Sequence, residues 1–455
     1  MSNIRKIIKE QKSLDNLIAE PFNVSAPGTG YIPDQIRSIY NVMPVVNSRS
    51  VNVTIIVAYH YPNLKSDFNT FCNNFSTKTV MLKPGTLIQI AYDSKQNPYI
   101  CDNNGIPSKT TTAGVNAIQG TFQQSPESWG KEACLNSQWV YALNPSSIIT
   151  VREAYSSSIN DLRAAMVDAT ASNADIIVMP FGTFESGNIK TAYTSFDGAL
   201  FQSLSKCYLA STGDLKSVNW PASSNCVLAC GGTTLNSTST TSSPYTSRSS
   251  ETYWSSTVPS TSGGGTGVSI VYIPAPSYQK TIATKNKNNG RYIPDISAIA
   301  DPSTGVQIYY SGSKLNINGG SGNTNYTTQA QVNLYTINTD FPSTIVAGGT
   351  SASTAIIAGM LSNVIQARKQ SSLRSLTTSS AAFLSKNFSI YSKYSLQNIL
   401  YTIGGTASNS IGVYTSNSYA ANIYNCSNTT SYNRQTGLGA INCNTLVNTI
   451  ITNFK

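Results

Sequence analysis

Histidine is almost absent from this 455-residue chain, which has only His60. A serine or cysteine nucleophile served by an imidazole would have to rest on that one residue, and in Tyr59-His60-Tyr61-Pro62 it reads as a polar turn residue at a strand end. Charge is scarce too. Lys, Arg, Asp and Glu make up 11% of the residues, so hydroxyls and amides must carry most of the surface. The formal charge of +10 is spread without a dense basic block, the nearest being Arg5-Lys6 with Lys9 and Lys12, and gives no basis for groove or base recognition. No run is long and apolar enough to span a bilayer. Met1 to Glu10 lack the continuous apolar core of a secretory signal. The expectation is a cytoplasmic or particle-associated protein, virion included, with neither membrane nor specific nucleic acid among its partners. The eight cysteines show no CxxC spacing of the kind zinc uses. Cys207, Cys226 and Cys230 lie in apolar runs and read as buried thiols, whereas Cys72 with Cys101, and Cys426 with Cys443, could pair in an oxidising compartment.

What is present is enough apolar residue, 40%, for one large core, with strand and helix patterns in alternation. The β-branched run Val51–Ala58 reads as the first strand, followed by a helix over 63–75 and a strand over Leu87–Tyr92. A polar stretch reads as loop. Then come a helix over Glu127–Leu143, a strand over 148–151, a helix over Ile159–Ala171, a strand over Ile176–Met179, a helix over 192–204 and a strand over 207–210. A short strand over 226–230 is expected to end at Gly231-Gly232. This order predicts an α/β fold, a parallel sheet with helices on both faces. One large domain over 31–455 follows an N-terminal extension, 1–30.

Late in the chain, Gly348-Gly349-Thr350-Ser351-Ala352-Ser353-Thr354 opens onto the apolar run Ala355 to Leu361. A serine there would start a buried helix, where unpaired amides and the positive dipole end favour developing negative charge. Thr350 or Ser351 could equally be an ordinary N-cap. The surrounding motifs bear on that choice. Trp220-Pro221-Ala222-Ser223-Ser224 leads to Gly231-Gly232-Thr233-Thr234-Leu235. Ser262-Gly263-Gly264-Gly265, Ile293-Pro294-Asp295-Ile296-Ser297-Ala298 with Ala300-Asp301-Pro302, Gly349-Thr350-Ser351-Ala352-Ser353 and Thr436-Gly437-Leu438-Gly439 follow. In this order they resemble the sedolisin family of serine-carboxyl peptidases, which has a subtilisin-like fold.

The resemblance implies roles. Ser351 matches the nucleophile, Glu132 the general base and Asp214 the acid that stabilises the oxyanion. Four residues after the glutamate, on the same helix face, the family has an aspartate; this chain has Asn136. An amide can orient Glu132 but cannot share a proton with it. Leu215 and Pro180 stand where the family usually has serines near the substrate channel. The family's calcium site also lacks its carboxylates: the nearest matches are Asn433 and Val413-Tyr414-Thr415, so no metal is expected and no cofactor, calcium binding being much weakened. The resulting expectation is a sedolisin-like pseudopeptidase acting as a structural or binding scaffold, with a protein assembly partner. The alternative is an active serine endopeptidase using Ser351, Glu132 and Asp214 on an extended polypeptide, provided the cleft is open.

Overall fold

The β-branched residues of Val51–Ala58 form a strand near the middle of an eleven-stranded sheet in the computed structural model. The model describes residues 17–455 apart from 27–29, 44–48, 78–80, 112–113, 117–120, 202, 239–247, 257–260, 313, 317–323, 326–334, 338–343, 379–393, 404–422 and 426–430. Val51–Ala58 pairs in parallel with Ser147–Ala154 and with Ile176–Met179. Parallel pairing continues through Cys207–Ser211, Leu228–Ser237 and Ile296–Ile299 on one side and Leu87–Tyr92 on the other. Val51, Val53, Ile55, Ile56, Val57 and Ala58 are all inaccessible to solvent. A strand buried at consecutive positions has both faces covered, as parallel sheets require.

Helices supply that cover. Glu127–Leu143 and Thr350–Gln370 pack on each other and on the central strands, while Ile159–Ala171 packs on Ser147–Ala154 and against Lys190–Leu200. Ser158 starts the Ile159–Ala171 helix by accepting the Asp161 amide on its hydroxyl. The α/β, subtilisin-like expectation therefore holds, with one refinement: antiparallel strands close the sheet margins. Arg248–Tyr253 adds antiparallel to Leu228–Ser237, and Pro98–Cys101, Pro107–Thr111 and Gly114–Asn116 add antiparallel beyond Leu87–Tyr92.

Two elements differ from the sequence reading. The polar stretch after Tyr92 contains those short strands instead of continuous loop; their backbones pair although their side chains show no apolar alternation. Gly231-Gly232 does not end a strand but lies inside Leu228–Ser237. A Cβ at Gly231 would run into Pro294 Cγ and Ser297 Oγ at 2.6 Å, so the glycine lets the Ile296–Ile299 strand approach. Cys72 and Cys101, which could have paired, are separate buried thiols; Cys426 lies outside the described residues. Among the described residues no helix is long and apolar enough to cross a membrane.

The described part of the N-terminal extension is woven into the rest. Ala19 donates its amide to the Ser157 carbonyl at 2.8 Å. Glu20–Pro21 pairs antiparallel with Phe181 and Gly182, and Val24–Ala26 pairs antiparallel with Thr344–Gly348.

Candidate active site

The Thr344–Gly348 strand turns into the Thr350–Gln370 helix at Gly349, whose φ of +87° suits a residue without a Cβ. Ser351 sits in the first helical turn, fully buried. Its backbone amide, unpaired within the helix by position, donates to the Phe22 carbonyl at 3.0 Å. Its hydroxyl donates to the Pro180 carbonyl at 3.0 Å and acts as a hydrogen-bond partner of the Glu132 carboxyl.

Glu132 projects from the Glu127–Leu143 helix into the same space and is also fully buried. Oε1 accepts from the Asn136 amide at 2.7 Å and Oε2 from the Asn23 amide at 2.5 Å. Burial pushes the Glu132 carboxyl up to about 8, and the nearby Asp214 adds to this. Hydrogen bonds from Ser351, Asn23 and Asn136 pull the other way. The helix period brings residues 132 and 136 together as expected; they are buried, so a surface pair is excluded. Asp214 lies across the turn. Its Oδ1 accepts from the Thr350 amide and hydroxyl, each at 2.8 Å, and burial raises its carboxyl to about 7. Oδ2 faces Gly349: a Cβ there would meet both the Phe22 oxygen and Asp214 Oδ2. The Phe22 carbonyl, bonded to the Ser351 amide, thus lies near the Asp214 side chain as well.

Pro180 and the Phe181–Phe184 strand form one wall. The Phe22 amide donates to the Pro180 carbonyl at 3.3 Å, extending the pairing of Glu20–Pro21. The Phe22 ring fills a slot bounded by two glycines, since a Cβ at Gly182 would lie 2.9 Å from its Cε2 and one at Gly213 would lie 3.3 Å from its Cζ. Leu215 stands half exposed just beyond Asp214. Phe22 and Asn23 escape a sequence reading, because nothing in Glu20-Pro21-Phe22-Asn23 marks a segment that returns to residues more than 100 positions away.

His60 is elsewhere. It is buried, with Nδ1 at 2.7 Å from Glu153 Oε2, so the imidazole is committed to that carboxylate. His60, Cys101 and Glu153 bring ligand atoms within 4.8 Å of one another, but Glu153 is already engaged by the Tyr61 amide and the Gln89 side chain. Of the residues matched to the calcium site, Val413 and Tyr414 lie outside the described residues. Asn433 uses its Oδ1 within its own turn, accepting the Gln435 amide at 2.8 Å.

Comparison with known proteins bears on the family and the fold. The model of the subtilase family matches residues 142–417, a span that includes Asp214 and Ser351. Sedolisin from Pseudomonas sp. (strain 101) is 28% identical over 307 residues, 65% of this chain and 49% of that protein. Kumamolisin from Bacillus sp. (strain MN-32) is 38% identical over 109 residues, 23% of this chain and 18% of that protein. The chain thus spans about half the length, or less, of these relatives. Among solved structures, Pseudomonas sedolisin, a serine-carboxyl proteinase complexed with two molecules of pseudo-iodotyrostatin, superposes with a TM-score of 0.57. It covers 94% of this chain and 100% of that one at 19% identity, and so speaks to the fold. With more than half its length matched by the family model and a sedolisin 28% identical over 307 residues, the chain belongs to the subtilase family and is a relative of the sedolisins.

Proposed function

We propose that this protein is a serine endopeptidase acting on extended polypeptide, with Ser351 as nucleophile, Glu132 as general base and Asp214 as oxyanion acid. The observation that carries the reading is that one peptide carbonyl, that of Phe22, meets the Ser351 amide, while the Ser351 hydroxyl partners Glu132 and Asp214 Oδ2 lies near the same carbonyl. An attacking Ser351 hydroxyl needs a base, and ionised Glu132 is within its reach. As the tetrahedral centre forms, its oxygen would gain the Ser351 amide and the protonated Asp214 carboxyl as donors. Such donors act most strongly in a buried site. Glu132, now carrying the proton, delivers it to the departing amine, and a water completes hydrolysis by the reverse route.

Asn136 changes the conditions, not the layout. A second carboxylate would let the base share a proton; the amide leaves Glu132 alone with its raised pKa and favours work near neutral pH. The same amide also supports a second reading, the peptide-binding scaffold without turnover. Digestion of an unstructured protein between pH 5 and 9, with and without Ser351→Ala, separates the two. Loss of at least about a thousandfold in rate in the variant is expected; binding without turnover at every pH would replace the peptidase by the scaffold.

A further inference from the structure

A second cluster of chemically active side chains lies where the sheet changes from parallel to antiparallel pairing. His60 follows the Val51–Ala58 strand, Glu153 stands one residue from the end of Ser147–Ala154, and Cys101 closes Pro98–Cys101. All three are buried. One ligand atom from each lies within 4.8 Å of the others. His60 Nδ1 and Glu153 Oε2, 2.7 Å apart, share a proton. Gln89 reaches in from Leu87–Tyr92, its Nε2 donating to both Glu153 oxygens at 3.0 Å. Its Oε1, equally buried, accepts no hydrogen bond among the described residues. An acceptor left in that state raises the free energy of the fold until a cation or donor meets it.

We propose that His60, Cys101 and Glu153 bind one zinc ion, with Gln89 Oε1 as the fourth donor, and that the metal staples the antiparallel margin to the central sheet. Imidazole, thiolate and carboxylate are the groups zinc takes in four-coordinate sites, whereas calcium takes oxygen alone. Around one zinc such atoms stand about 3.3–3.6 Å apart, so the cluster closes by about an ångström while the His60–Glu153 pair opens by less. Charge is conserved. The zinc replaces the proton shared by His60 and Glu153 and the proton of the Cys101 thiol, so two positive charges leave as two arrive. The Tyr61 amide on Glu153 Oε1 and the Gln89 amide then serve as the outer hydrogen bonds that hold a ligating carboxylate in place. The location gives the metal a task. Cys101 belongs with Ala91, Tyr99 and Phe122 to a small apolar cluster apart from the main core, and so small a cluster stabilises little by itself. Zinc ties it to the ends of two central strands. The backbone of His60 also bonds to Gln123 and Ser125, just before the Glu127–Leu143 helix, so the staple reaches the element that carries Glu132. The ligands are far apart along the chain, and for that reason no spacing announces them.

The test uses the full chain, and its readouts are independent of any peptidase activity. Loaded with zinc and passed through gel filtration, the chain should retain about one ion. Stripping it with a chelator under reducing conditions should lower the melting temperature by on the order of 4 °C, and added zinc should restore it. Cobalt(II) in place of zinc should give the visible bands of a four-coordinate ion together with a near-ultraviolet thiolate-to-metal band. Cys101→Ser should lose the thiolate band, and Glu153→Gln should weaken cobalt binding at least about tenfold. Cys72→Ser, which alters another buried thiol, should change neither. Should a ligand variant fail to fold, the cobalt spectrum of the unaltered chain decides alone. Cobalt bound without a thiolate band, or not bound at millimolar concentration, would overturn the proposal, as would a thiolate band that survives Cys101→Ser.

Discussion

Replacing Asn136 with aspartate should move the pH range of catalysis, and the direction follows from which protonation states the site needs. Catalysis requires Glu132 ionised and Asp214 protonated. In the intact chain burial holds the two carboxyls at about 8 and about 7, so the required pair of states is a minority at every pH. At pH 7.5 about a quarter of the molecules have each group in the right form, and about 6% have both. Below this the ionised base is lost as pH falls through the Glu132 value, and above it the protonated acid is lost as pH rises through the Asp214 value. The expected profile is a bell centred near 7.5 that falls about sixtyfold by pH 5.

In the Asn136→Asp variant the introduced carboxyl would face Glu132 Oε1 at the 2.7 Å now spanned by the amide. Two carboxyls at that distance share one proton, so the first ionisation becomes easier and the second harder. The pair is then singly ionised in mild acid, while Asp214 is still protonated, and the acid limb should move down by at least about one pH unit. The assay is the pH dependence of turnover of a quenched fluorescent peptide, normalised by a serine-directed label. A wild-type optimum in acid, or a variant whose acid limb does not move, would refute the reasoning.

Two further outcomes follow from the same geometry. Glu132→Gln removes a carboxyl whose pKa is raised on folding. The folded state binds the extra proton, so its stability falls as pH rises from the unfolded value of roughly 4.5 toward 8. The variant should lose that slope in urea titrations and be more stable at pH 7 by a margin on the order of 3 kcal/mol; an unchanged slope would argue that the carboxyl is solvated. Gly349→Ala should abolish cleavage, because its Cβ would occupy the place of the Phe22 oxygen and strain a φ of +87°. Peptide turnover within tenfold of wild type would show that the carbonyl binds elsewhere.

Parts of this molecule were legible because chemistry and period coincide. Trp129, Ala133, Trp139, Val140 and Leu143 recur at helical spacing, and the Glu127–Leu143 helix has the bounds they suggest. Buried β-branched runs such as Val51–Ala58 and Ile176–Met179 likewise declare central strands. Gly231 misled because a glycine reads as a breaker, when here it serves the approach of Pro294 and Ser297. The short strands beyond Tyr92 are held by backbone pairing that leaves no period in the side chains. Convergence of residues 132, 214 and 351 was inferred from a family resemblance; spacing alone could not give it. The arrival of Phe22 and Asn23 over them depends on tertiary contacts that no local pattern encodes.

Val24–Ala26 is stitched to the strand that ends at Gly348. The seam therefore holds the Phe22 carbonyl against the Ser351 amide and the Asn23 donor against Glu132 at once. Loosening it would uncover the hydroxyl and strip the carboxyl of one of its donors in a single movement.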